Sequence, residues 1–187
     1  SCSTAIAIGI NRVMITADFC LFDNQFHPLP SAIAQAYLRG FFSNLGGVGL
    51  LPAITAIYTV DEPDVNGFSD VNMVAANTLL RSVMNEYSLQ GKPLVTTYGV
   101  EGTPGLRSFD WAGFDNYGTP IFTIGEYNGF VSKLSATQRV VIVPGGGSPW
   151  KDNPTPFNAK AQADLRIALI MPFIWQDGST QGIRSNG

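Results

Sequence analysis

The chain has 187 residues, 45% of them hydrophobic and only 13% charged, with a formal net charge of −3 at pH 7. That length fits one domain with a sizeable core. The acidic balance and scattered Arg and Lys residues exclude a dedicated nucleic-acid binder. The apolar stretches fall short of the roughly 20 residues a bilayer span needs, so no membrane span is expected.

The N-terminal residues lack the basic-then-apolar pattern of a signal peptide. They start at Ser1 rather than Met, as a processed or trimmed chain would. Cys2 and Cys20 make one possible pair, so no disulfide framework is implied. His27 is the sole histidine. Its neighbours outline no metal site, and no cofactor is expected.

In chain order, Ala5, Ile6, Ala7 and Ile10 read as the end of a helix. Residues 12–17 read as a first strand, ending in Asp18. Ser31 is a plausible N-cap for a helix carrying Ile33, Tyr37, Leu38, Phe41, Phe42 and Leu45, stopped by Gly46-Gly47. The next strand, 54–60, is a β-branched apolar run that breaks at Asp61-Glu62-Pro63. Such a run fits a strand buried on both faces, and Pro63 cannot continue a ladder. Asp61 and Glu62 therefore sit where a parallel strand becomes a loop, the edge on which α/β folds place their chemistry. A capping acid ahead of the next helix is the ordinary alternative.

Ser69 opens a longer helix with Val71, Val74, Ala75, Val83, Met84 and Tyr87 on one stripe, ended by Gly91 and Pro93. The third strand, 93–97, ends in Tyr98-Gly99. Residues 100–105, rich in Gly and Pro, carry no helix. The fourth strand, 108–114, ends in Asp115-Asn116-Tyr117. A short helix over 126–134 follows, periodic through Tyr127, Phe130, Val131 and Leu134. The fifth strand, 139–143, ends in Pro144 and three glycines. Thr155-Pro156, an N-cap and a first-turn proline, opens a helix towards Leu165. The last strand, 168–174, ends in Trp175-Gln176.

Alternation of this kind means an α/β fold with a parallel sheet. A (β/α)8 TIM-type barrel collects side chains from several strand ends on one rim. Here that rim would gather Asp18, Asp61, Glu62, Tyr98, Asp115, Tyr117 and Trp175. An open nucleotide-binding sheet would need a glycine-rich phosphate loop after a strand. Gly145-Gly146-Gly147 reads instead as a rim loop, because Ser148-Pro149-Trp150 interrupts any helix start. Six βα units where a barrel has eight predict an incomplete barrel. It is a single domain over 1–187 or a fragment of one, with a second chain or a missing segment to complete it.

The strand end Tyr58-Thr59-Val60-Asp61-Glu62-Pro63, followed two strands later by Asp110-Trp111-Ala112-Gly113-Phe114-Asp115-Asn116-Tyr117, resembles the barrel glycoside hydrolases. In many of these a strand-four D-E-P or N-E-P carries the acid and a strand-six D-x-x-G-x-D-x-Y lines the sugar pocket. Val143-Pro144-Gly145 and Pro172-Phe173-Ile174-Trp175 are similar to their strand-seven and strand-eight endings. The likeness spans residues 10–177 and leaves strands one and two absent. It also departs from the family. The retaining members place a glutamate at the end of strand seven, where this chain has Val143-Pro144-Gly145.

The resemblance implies a carbohydrate substrate. Glycoside hydrolysis needs one protonated carboxyl and a second carboxylate as nucleophile or base. Glu62 is the candidate acid, with Asp61 beside it to raise its pKa or to hold neighbours by hydrogen bonds. Asp115 is the best second carboxylate, with Asp18 behind it. A strand-end aspartate also commonly accepts backbone N–H groups in an Asx turn. Tyr98, Tyr117 and Trp175 could stack on sugar faces or pack the barrel mouth. Trp111 reads as packing, and His27 as a loop residue on the ligand side. Glu101 and Glu126 are explained by a glycine-rich loop and a helix start. The competing reading is a non-catalytic glycan-binding or structural barrel module of a larger assembly. A phosphate-binding α/β protein using the Gly145 loop is the weakest.

Overall fold

The apolar runs become strands that all point one way. The computed structural model describes residues 11–99, 102–115, 125–145 and 153–172. The strands are β1 (Val13–Thr16), β2 (Ile54–Asp61), β3 (Leu94–Tyr98), β4 (Trp111–Asp115), β5 (Arg139–Val143) and β6 (Ile167–Ile170). They lie in the order β1-β2-β3-β4-β5-β6, every neighbouring pair parallel. The sheet curls into a half-barrel, the architecture of an incomplete (β/α)8 barrel.

The helices are α1 (Asp18–Leu21), α2 (Ser31–Gly47), α3 (Asp70–Glu86), α4 (Glu126–Lys133) and α5 (Pro154–Ala163). Ser69 caps α3 as expected, its hydroxyl accepting the Asn72 N–H at 3.2 Å. The cap of α5 lies two residues earlier than the sequence reading. Asn153 accepts the Thr155 N–H at 3.0 Å and Pro154 takes the first turn. Ser31 is the first residue of α2 rather than its cap, which is Pro30. Among its described residues the 3–4 connection holds only a 3-10 turn, Leu106–Ser108.

On α3 the buried face keeps Val83 and Met84 of the expected stripe and departs from it in the first turns. Val71 and Val74 are exposed, whereas Met73, Ala76, Asn77, Leu80, Val83 and Met84 are buried. The longer Met and Leu side chains fill the space over the sheet, and the two valines of the first turns face outward. On α2, Ala34, Leu38 and Phe42 are buried while Ile33 and Tyr37 are exposed.

The sheet separates two apolar layers. The larger packs β-strand residues such as Ile57, Val60, Leu94, Tyr98, Phe114 and Ile142 against the helices. The smaller gathers Ala56, Val95, Val141 and Val143 with Met14, Tyr58, Trp111, Leu169 and Met171. Because the helices cover the first layer, the second is the barrel interior. The helix that the sequence places before Asn11 lies outside the described residues.

Candidate active site at the carboxyl ends of the strands

One irregularity in β2 shapes the site. Tyr58 pairs with Val95 and Asp61 with Thr97, so Thr59 is an extra residue, a β-bulge. Val95 and Thr97 are two apart on one face of β3. The bulge therefore brings Tyr58 and Asp61, three residues apart, onto the same interior face. The Tyr58 hydroxyl donates to Asp61 Oδ1 at 2.5 Å, and the Thr97 hydroxyl donates to the same oxygen at 2.8 Å. The two hydroxyl oxygens also lie 2.5 Å apart. Asp61 is thus committed to holding two neighbours. Tyr58 and Thr97 did not stand out in the sequence, since one was part of an apolar run and the other of a Thr pair.

Burial, and then the charge of Asp61, push the Tyr58 phenol well above the usual tyrosine range. Asp115 adds to the same effect, so its carboxylate field reaches this hydroxyl. Asp115 ends β4, is buried, and pairs with Val143. It lies two residues beyond Gly113, which pairs with both Thr97 and Val141, so it shares their interior face. A Cβ on Gly113 would lie 2.4 Å from the Val141 carbonyl oxygen, too close for any side chain. Glycine there lets β4 and β5 close together beneath the acid.

Glu62 is the first residue past β2. Its N–H donates to the Thr97 carbonyl at 3.0 Å, and its φ of +40° is left-handed, a conformation that costs a non-glycine residue about 1–3 kcal/mol. Its side chain is half-buried. Burial first, then repulsion from Asp61 and Asp64, hold its carboxyl above the ordinary glutamate range. Strain and a raised carboxyl at the end of a barrel strand single Glu62 out as the candidate acid.

The remaining candidates are distributed more widely. Asp18 opens α1 and accepts the Thr16 hydroxyl at 2.6 Å. It lines a cavity of about 280 Å³ with Phe19, Phe22, Asp23, Asn24 and Phe26, flanking the β1 edge. Tyr98 does not offer a ring at the rim. It is fully buried on the helix side, donates its hydroxyl to the Pro104 carbonyl at 2.9 Å and packs edge-on to Phe109. Tyr117 and Trp175 lie outside the described residues, as do Glu101, Gly146 and Gly147.

Asp110, first in the D-x-x-G-x-D-x-Y pattern, lies at the opposite end of β4 from Asp115. There it accepts the Leu94 N–H at 2.7 Å and pairs with Arg81 at 2.9 Å. Trp111 packs within the interior layer. His27 is exposed and contacts Asp23 at 3.3 Å. Glu126 starts α4. No group of His, Cys, Asp and Glu among the described residues is arranged to hold a metal ion. None of their helices is long and apolar enough to cross a membrane.

No protein-family model matches the chain, and a search of curated proteins finds no match. Solved structures do match. Gas2p of Saccharomyces cerevisiae, in complex with laminaritetraose and laminaripentaose, is similar with a TM-score of 0.58 at 10% identity. That likeness covers 91% of this chain and 43% of the Gas2p chain. A Gas2 complex with a small compound gives 0.59 at 11% identity, over 91% and 44% of the two chains. A GH113 β-1,4-mannanase gives 0.52 at 7% identity, over 91% and 65%. The chain therefore spans less than half of the Gas2 structures it matches. At these identities the likeness shows the fold: six units of the TIM-type barrel that glycoside hydrolases use.

Proposed function

We propose that this chain is a glycoside hydrolase-like barrel acting on a poly- or oligosaccharide, with Glu62 as general acid and Asp115 as the second carboxylate. The observation that carries the reading is Glu62 itself, strained and half-buried, its carboxyl held above the ordinary range by burial and by the charges of Asp61 and Asp64. A protonated Glu62 gives its proton to the glycosidic oxygen as the bond breaks. Asp115 stands two strands away on β4, roughly 10 Å between strand axes at the usual spacing. Carboxyl groups about 6.5–9.5 Å apart would make the pair inverting, and about 5–5.5 Å apart retaining. Asp18, one strand from β2 on the other side, is the reserve base. The likeness to Gas2p, solved with laminaritetraose and laminaripentaose, makes β-linked glucans the first substrates to try.

Barrel closure calls for two strands beyond the six, bridging β6 to β1. We infer that another segment or a second chain supplies them. The end of β5 favours a second reading, because Val143, Pro144 and Gly145 offer no carboxylate there. On that reading the module binds glycan without cleaving it.

The test is turnover of laminaritetraose by the wild type and Glu62→Gln. Loss of a general acid predicts a fall in kcat/KM of about 100-fold to 10,000-fold with the fold intact. Equal turnover in the two proteins sinks the assignment. Binding by the wild type without any product supports the second reading.

A further inference from the structure

We propose that Asp64 is a positioning residue for Glu62, clamping the turn that carries it onto the glycine-containing loop after β3. The proposal rests on the reading of Glu62 as the acid. A left-handed φ at a residue with a side chain persists only where its surroundings over-determine it. The Glu62 N–H is held by the Thr97 carbonyl at 3.0 Å, and its carbonyl accepts the Asn66 N–H at 3.0 Å. The Asn66 side chain also donates to the Asp61 carbonyl at 3.0 Å.

Those bonds close the turn on itself and on β3. Asp64 fastens it to the neighbouring loop. One of its carboxylate oxygens accepts the Gly99 N–H at 2.8 Å and the other accepts the Gly102 N–H at 3.1 Å. Charge-assisted bonds from one carboxylate to two backbone donors are among the stronger tethers a loop can have. The approach leaves no spare room, since a Cβ on Gly99 would meet Val65 Cγ2 at 2.4 Å. Asp70 repeats the pattern further on, accepting the Gly105 N–H at 2.5 Å. Two acids that follow Glu62 thus both hold the β3–β4 connection.

The same carboxylate acts on Glu62 through space. With Asp61 on β2, it supplies the repulsion that adds to burial in raising Glu62. Asp64 thereby joins two tasks: it fixes where the acid stands and favours its protonated form.

The experiment uses the full chain with side-chain-labelled glutamate, the Glu62 carbon assigned by its loss in Glu62→Gln. Carbon NMR titration of Glu62 is recorded in the wild type, Asp64→Asn and Asp64→Ala, together with the Gly99 and Gly102 amide protons. Both variants are expected to move the Glu62 midpoint to lower pH. Asp64→Ala is also expected to shift both amide signals upfield. On laminaritetraose it should lower kcat about 10-fold to 100-fold with KM little changed, and Asp64→Asn should recover part of that loss. An unchanged Glu62 midpoint in both variants overturns the proposal, and so do unmoved amide signals in Asp64→Ala. If Asp64→Ala fails to fold, the near-isosteric Asp64→Asn decides by the midpoint alone. Full turnover by Glu62→Gln would remove the acid assignment, while the amide and carboxyl shifts would still report the clamp.

Discussion

Asp61 and Glu62 are adjacent carboxylates with different work, and their backbones explain the difference. Asp61 is the last residue of β2 and receives two hydroxyl donors. Glu62 has left the strand with a positive φ, and burial followed by two neighbouring acids raises its carboxyl. The native state therefore holds the Glu62 proton more tightly than the unfolded chain does. The linked stability is complete in acid, below about pH 4. It is lost as pH rises through the folded-state value of Glu62. Glu62→Gln carries no such penalty. Its Tm should exceed that of the wild type at pH 7, with the gap closing towards pH 4; thermal unfolding across pH 3 to 8 checks this, and a gap that widens in acid contradicts it. The position of these acids at a sheet edge was legible, because Pro63 ends an apolar run. Their separate roles were not, since they depend on φ and on partners supplied by another strand.

The strands themselves were readable as apolar runs for the same reason that their faces were not. A parallel strand covered on both sides has no polar alternation, so nothing local tells inside from outside. Tyr98 shows the consequence: one residue on from Thr97, it points to the helices and packs near Phe109 and Phe130. On α3 the apolar residues outnumber the places that bury them, and only packing selects Met73 and Leu80 over Val71 and Val74. Gly113 gives the clearest element-level prediction. Gly113→Ala would press its methyl on the Val141 carbonyl and Cβ, separating β4 from β5. The overpacking should cost about 1–3 kcal/mol in urea unfolding and reduce any turnover that relies on Asp115. An unchanged midpoint would mean that the two strands separate without penalty.

At the scale of the whole molecule, alternation of element types was enough to give a parallel α/β sheet, and the count of six units to give an incomplete barrel. Stability is concentrated on the helix side of the sheet, where the larger apolar layer lies. Leu80, fully buried on α3, is part of it. Leu80→Ala is expected to cost about 2–5 kcal/mol, read as a lower urea midpoint with the slope unchanged. The exposed Ile33 and Tyr37, one turn apart on α2, lie outside that layer. Among the described residues β1 and β6 each have a single paired neighbour, so the sheet has two free borders.

With Thr59 bulged out of the ladder, two residues instead of one stand between the interior side chains Tyr58 and Asp61 of β2, and that slip decides which carboxylate looks inward. Drawn into a regular ladder, Thr59 would face Thr96, and every acid would remain in the chain. Yet Val60 would then oppose Thr97 and Asp61 would turn to the helix side with Tyr98, which strips Tyr58 and Thr97 of their shared acceptor. The chemistry of this rim is thus protected less by which residues are present than by which of them the ladder leaves unpaired.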